Sequence, residues 1–142
     1  LFRSVLAQNL QCLNVKVHPI ALGNGQPLKY LPPGVHTYAD CYDVGEGGDI
    51  PSLSLGKIIE LTGLTKDIRR TFIKIDCEGY EYRVIQGALN TIKLCRPIVV
   101  LEQKPHDMYS KQYGQFAAVG LLEDIGMQKL DQVKDDWIMG WR

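Results

Sequence analysis

Asp76, Glu78 and Glu81 lie close together in the run Phe72-Ile73-Lys74-Ile75-Asp76-Cys77-Glu78-Gly79-Tyr80-Glu81. A carboxylate can take a proton, orient a hydroxyl or favour a positive charge, provided the backbone holds it where a substrate binds. The apolar run before Asp76 predicts a buried strand, and the amphipathic stretch after Gly79 predicts a helix. In open α/β sheets ligands gather where strands end and helices begin, so Asp76 and Glu78 stand at a rim where chemistry is expected. Glu102 closes a second apolar run, Pro97-Ile98-Val99-Val100-Leu101, and its carboxylate could share the same crevice. An ordinary aspartate, with a pKa of ~3.9, is a poor base near neutrality unless burial raises it. Each acid also has a bland alternative. Asp76 or Glu78 could simply cap the following helix, and Glu102 could bind loop amides. Together with His106 these acids form an oxygen-rich set that could hold a divalent metal. Nothing in their spacing demands one, and none is expected.

The elements that must position these residues follow from periodicity. Leu1, Val5, Leu6 and Leu10 keep a helical period from the first residue, with no capping residue before them, which predicts a helix entered without its start. Residues 14–22 alternate and then break at Gly23-Asn24-Gly25, a strand and a tight turn, with Pro19 arguing for an edge or a strand end. His18 alternates within that strand and reads as structural. Residues 27–31 and 35–38 suggest a hairpin insertion around Pro32-Pro33-Gly34. The stretch from Asp43 to Pro51 reads as a mobile loop, because its glycines lack phosphate-cradle spacing. Ser52 is placed to cap a helix reaching about Leu61. Residues 80–94 form the best helix, lined by Val84, Ile85, Ala88, Leu89 and Ile92. Gly87 inside it costs ~1 kcal/mol relative to alanine, which implies close packing there. The unbroken apolar run at 97–102 fits a strand buried on both faces. A helix over 113–125 stopped by Gly126, and two strands at 127–130 and 137–141, complete the chain. Trp137 and Trp141 read as core or edge cover, while Tyr109 and Tyr113 could line an acceptor pocket. Strands alternating with helices predict an α/β fold with a largely parallel sheet.

Composition sets outer bounds. The 142 residues suffice for one domain with a real core, with 45% apolar and 23% charged residues. Sixteen basic residues balance sixteen acidic ones, so the total charge gives no case for nucleic acid or an anionic membrane. No apolar run approaches the ~20 residues of a membrane helix. Cys12, Cys41, Cys77 and Cys95 are widely spaced, without metal-binding pattern, which points to reduced thiols in a cytosolic protein.

The segment Ile73-Lys74-Ile75-Asp76-Cys77-Glu78-Gly79-Tyr80-Glu81, followed by Ile85-Gln86-Gly87-Ala88, resembles the K-I-D-x-E-G-x-E…L-x-G-A signature of the FkbM-family methyltransferases. Arg96-Pro97-Ile98-Val99-Val100-Leu101-Glu102 resembles the next strand of that family, Ile20-Ala21-Leu22-Gly23 its A-L-G turn, and Leu122-Glu123-Asp124-Ile125-Gly126-Met127 its late helix end. The resemblance implies a Rossmann-like class I methyltransferase sheet ordered 3-2-1-4-5-7-6, mostly parallel with an antiparallel C-terminal strand. It also implies S-adenosylmethionine as cofactor, and O-methylation of a hydroxylated small molecule or glycan. Carried over residue by residue, it makes Asp76, Glu78 and Glu102 catalytic candidates, and Ala21, Leu22 and Asp76 neighbours of the cofactor.

On this resemblance residues 14–21, 71–75 and 97–102 are the third, fourth and fifth strands. The first two, with the glycine-rich cofactor turn, are then missing. Residues 1–142 are expected to be a partial methyltransferase domain, inactive alone, preceded in the complete protein by about 60 or more residues. The rival expectation is a non-catalytic Rossmann-like module, a degenerate remnant serving binding or assembly.

Overall fold

The computed structural model describes residues 18, 20–30, 44–62, 71–105 and 109–142. In chain order these form β1 (Ala21–Leu22), β2 (Leu28–Tyr30), β3 (Val44–Glu46), β4 (Ser52–Leu53), α1 (Leu55–Thr62), β5 (Phe72–Ile75), α2 (Glu81–Cys95), β6 (Ile98–Glu102), α3 (Ser110–Tyr113), α4 (Ala117–Asp124), β7 (Gln128–Val133) and β8 (Asp136–Gly140). The expected opening helix, residues 14–17 and 35–38, Cys12, Cys41, His36 and His106 lie outside the described residues.

The main sheet has four strands in the order β5-β6-β8-β7. β5 and β6 run parallel, joined by the crossover helix α2, while β8 is antiparallel to both neighbours. The antiparallel strand is therefore interior, and the edges are β5 and β7. Ile75, Val99, Leu101 and Met139 point from the sheet into a core closed by Val84, Ile85, Ala88 and Ile92 of α2 and Ala118, Val119 and Leu122 of α4. The predicted stripe of α2 is thus the core-facing stripe. β6 is fully buried on only one face: Ile98 and Val100, pointing the other way, are half-buried. Phe72 beside them is 65% exposed.

Two smaller sheets flank this one. β1 pairs in parallel with β4, and β2 pairs antiparallel with β3. The expected loop at 43–51 therefore contains a strand. Gly45 sits opposite Lys29, and residues 44–46 are a hairpin partner of β2 that the sequence did not suggest. Ser52 does not cap α1. It lies in β4 and donates from Oγ to the Gln26 carbonyl at 2.7 Å, while Ser54 Oγ accepts the Lys57 N–H at 3.3 Å and caps the helix. The predicted helix at 113–125 is broken: Gly114 (φ 96°) ends α3, and α4 begins at Ala117. Gly126 (φ 94°) stops α4 as expected. The closing hairpin turns through Lys134 and Asp135, tighter than the predicted 131–136. Trp141 donates to the Pro97 carbonyl at 2.9 Å and stacks on Arg96, and both tryptophans pack on the core.

Between β1 and α1 on one side and β5 and α2 on the other lies an apolar cleft of about 410 Å³, lined in part by Leu22, Leu55, Ile59, Phe72, Ile75 and Ile92. The outer edge of β5 faces this cleft with no paired strand among the described residues.

Gly87 explains itself at this level. A Cβ there would collide with the Gly23 carbonyl oxygen and lie 2.7 Å from Asn24 Cα. The close approach is to the turn after β1, not to the main sheet. Gly87→Ala should destabilise by about 1–3 kcal/mol despite alanine's better helix propensity. Gly120→Ala, in α4 with open space beside it, should stabilise by up to about 1 kcal/mol. Denaturant melts of the two variants in parallel check both signs.

Candidate active site

β5 and β6 are in register with Ile75 opposite Leu101, so the next residue of each strand, Asp76 and Glu102, emerges side by side. Behind Asp76 the chain turns sharply through two left-handed residues, Glu78 (φ 52°) and Gly79 (φ 100°). The glycine adopts this freely, whereas the glutamate does so at a cost of order 1 kcal/mol. The turn is held from below. Glu81, 1% exposed at the start of α2, accepts the Cys77 N–H at 2.8 Å, and Tyr80 N–H bonds back to the Cys77 carbonyl. Neither Asp76 nor Glu78 caps α2, whose capping residue Tyr80 receives no side-chain bond. Both are left pointing at the rim. The carboxylate oxygens of Asp76, Glu78 and Glu102 lie within 4.8 Å of one another.

Strand alternation brings two lysines into this group. Gln103 points inward, 4% exposed, and accepts the Val119 N–H at the start of α4. Glu102 and Lys104, on either side of it, point the other way. Lys104 Nζ stands 3.3 Å from Glu102 Oε1 and 3.5 Å from Glu78 Oε2. Lys74, two residues before Asp76, reaches Asp76 Oδ2 at 3.6 Å and bonds Asp136 of β8. Asp136 is the direct partner of Glu102 across the sheet. Burial pushes the Glu102 carboxyl above the usual glutamate value, with Asp76 and Glu78 adding to the rise and Lys104 opposing it. For Lys104 burial pulls downward, but the bond to Glu102 and the charges of Glu102 and Glu78 outweigh it, so the ammonium is held above the usual lysine value.

β1 approaches from the other sheet. Ala21 and Leu22 are half-buried, and Gly23 donates to the Leu53 carbonyl at 3.0 Å. A Cβ on Gly23 would stand 3.4 Å from Cε1 of Tyr80, so the phenol end of that ring faces the turn. Tyr80 is 4% exposed, and its hydroxyl is buried without a hydrogen-bond partner. Burial, with the negative charge of Glu46 adding to it, pushes its pKa to about 12, so it stays a neutral donor. Leu22 and Ile75 line the same apolar cleft.

Tyr109 and Tyr113 serve packing. Tyr113 stacks on Tyr82 with centroids 4.3 Å apart, and the Arg83 guanidinium lies 5.0 Å from the centre of the Tyr109 ring. Arg83 Nε is 3.0 Å from Glu46 Oε1, Arg83 Nη2 donates to Glu46 Oε2 at 3.4 Å, and Asn24 donates to Oε1. This set ties β3 and the β1 turn to α2. His18 is exposed.

Sequence reasoning placed Asp76, Glu78 and Glu102 at the rim but passed over Lys104, Lys74, Asp136 and Tyr80. The alternation Glu102-Gln103-Lys104 was the readable signal for the first.

Residues 6–126 match the family model described as the methyltransferase FkbM domain. The chain belongs to the FkbM methyltransferase family. No curated protein and no solved structure matches it. The family match covers β1 through α4 and includes every rim residue named above except Asp136 of β8. No helix among the described residues is long and apolar enough to cross a membrane.

The turn also fixes the behaviour of Cys77. Burial and the neighbouring Glu81 carboxylate push its thiol far above the ordinary range, so the nucleophilic thiolate is scarce at neutral pH. Cys77 should stay unlabelled by iodoacetamide at pH 8 in the native protein and label fully in denaturant. Mass spectrometry of the peptide spanning Asp76 reads the result.

Proposed function

We propose that this chain is the greater part of an S-adenosylmethionine-dependent O-methyltransferase acting on a hydroxylated small molecule or sugar. The observation that carries the reading is the side-by-side ending of β5 and β6, which gathers three carboxylates at one rim. The sheet order β5-β6-β8-β7 agrees with strands 4-5-7-6 of the class I arrangement. On that reading, residues 1–142 are a partial domain. The edge of β5 that is unpaired among the described residues, the apolar cleft beside it and the exposed Phe72 are what two further strands and their helices would cover.

The residues present fit the nucleoside end of the cofactor. Tyr80 offers a buried hydroxyl lacking a partner beside the turn of Gly23, and Ala21 and Leu22 supply apolar surface. When bound, S-adenosylmethionine supplies an electrophilic methyl group on a sulfonium. Asp76, half-exposed at the end of β5, orients the acceptor hydroxyl and faces the positive charge. Glu102 is the better proton acceptor, because burial has already moved its carboxyl toward neutrality. Glu78 adds negative charge beside both. No metal is assigned to the rim.

The sign of the pH dependence follows. A carboxyl raised in the folded state favours folding at low pH, and that contribution is lost as pH rises through its folded value. Turnover depends on the ionised base and rises over the same window. The complete enzyme should bind S-adenosylmethionine in a calorimeter, and absence of heat at any pH would remove the cofactor assignment. Asp76→Ala and Glu102→Gln should each lower turnover about 100-fold or more while changing stability by under about 1 kcal/mol. Glu102→Gln should also flatten the acid limb of the rate profile. Turnover within twofold of the parent in either variant would exclude that residue from the mechanism.

A further inference from the structure

The three-carboxylate rim carries its own cation. Three carboxylates with oxygens within 4.8 Å repel one another unless a positive charge stands among them. Lys104 Nζ is within 3.5 Å of both Glu78 and Glu102, and it reaches them from the backbone segment that Gln103 pins to α4. The ammonium is only about a quarter exposed, as is Glu102, so solvent screens this contact less than an ordinary surface pair. Lys74 does not compete for the same oxygens. It is engaged by Asp136 and Asp76.

We infer that Lys104 is a positioning residue for methyl transfer: it holds Glu78 and Glu102 together and keeps Glu102 ionised at the pH where the enzyme works. The inference rests on the reading of the rim as the methyl-transfer site. The charged groups facing Glu102 are Asp76 following β5, Glu78 in the turn, Lys104 following β6, and the Lys74–Asp136 pair from β5 and β8. Removing Lys104 takes away the cation that contacts Glu102, while Lys74 stays engaged by Asp76 and Asp136, so the carboxyl should shift upward.

The test separates this role from the cofactor assignment by using two readouts on the complete enzyme. Carbon-detected NMR follows the Glu102 carboxyl through a pH titration. Lys104→Gln should move its midpoint up by about one pH unit, while Lys104→Arg should leave it within a few tenths of the parent. In parallel, the pH–rate profile of methyl transfer gives the pH below which turnover falls. That point should move up with Lys104→Gln by the same amount and return with Lys104→Arg. An unmoved Glu102 midpoint in Lys104→Gln would overturn the inference whatever the cofactor does. A moved midpoint with an unchanged rate profile would overturn Lys104's part in the reaction. A parent enzyme that never binds the cofactor would overturn the reading beneath it, while the NMR arm still reports on the ion pair.

Discussion

The bond from the Cys77 N–H to the buried carboxylate of Glu81 is the constraint on which the rim depends. A carboxylate that is 1% exposed is expensive to bury unless charge-assisted bonds compensate for lost water. Here it sits in the first turn of α2, where the helix's free N–H groups and positive dipole end favour an anion. Its reach back to Cys77 closes the chain from β5 into α2 through only a few residues. Because the loop is so short, Glu78 must adopt a left-handed backbone and Gly79 must follow it. The side chains of Asp76 and Glu78 then have no helix end to cap. What looks locally like a turn motif is a device for freeing two carboxylates from helix capping and turning them to the lysines of the rim.

The second half of the rim uses alternation instead of a turn. Gln103 is drawn inward because Val119 at the start of α4 needs an acceptor, and its own N–H bonds the Asp135 carbonyl. That fixes the strand end from two sides. Glu102 and Lys104 are forced outward by the pleat, with no freedom to choose which face they occupy. The same pleat puts Lys74 and Asp76 together on β5. Three carboxylates and two ammonium groups therefore reach one surface through the sheet's period of two, and the turn adds Glu78. Exposed pairs of this kind contribute about 0–1 kcal/mol each to stability. Their consequence is electrostatic: the proton affinity of Glu102 is set by whichever of burial, Asp76 and Glu78 on one side and Lys104 on the other prevails, and burial leads.

The strand–turn–helix from Phe72 to Cys95 was legible in sequence because each part is local: an apolar run, an acid, a glycine, a helical stripe. Glu102 was legible for the same reason. β3 was not, because Gly45 in its centre and glycines after it erase the alternation, and its partner lies across residues 31–43. The helix expected over 113–125 failed at Gly114 and at Phe116 (φ 56°), where the apolar spacing continues although the backbone does not. Glu81 was readable as a favourable charge near a helix start, yet its burial and its bond to Cys77 are tertiary facts. Lys104 was hidden by attention to acids alone, although counting two residues on from Glu102 places it.

Gly87 and Gly23 show why the rim and the rest of the molecule cannot be separated. The turn after β1 reaches α2 by backbone contact, close enough to exclude a methyl group, while the strands themselves stay apart across an apolar cleft. Tyr80 fills the angle between them with its hydroxyl against the turn, at the cost of leaving that hydroxyl without a partner. A buried polar atom in this state costs about 1–3 kcal/mol, and phenylalanine would pack in the same outline without it. The cost falls where the two sheets meet, at the point nearest to both the β1 turn and the Asp76 loop. A group that arrived with an acceptor or donor for Tyr80 would remove that penalty on binding, so the same contact that weakens the bare fold would strengthen the loaded one.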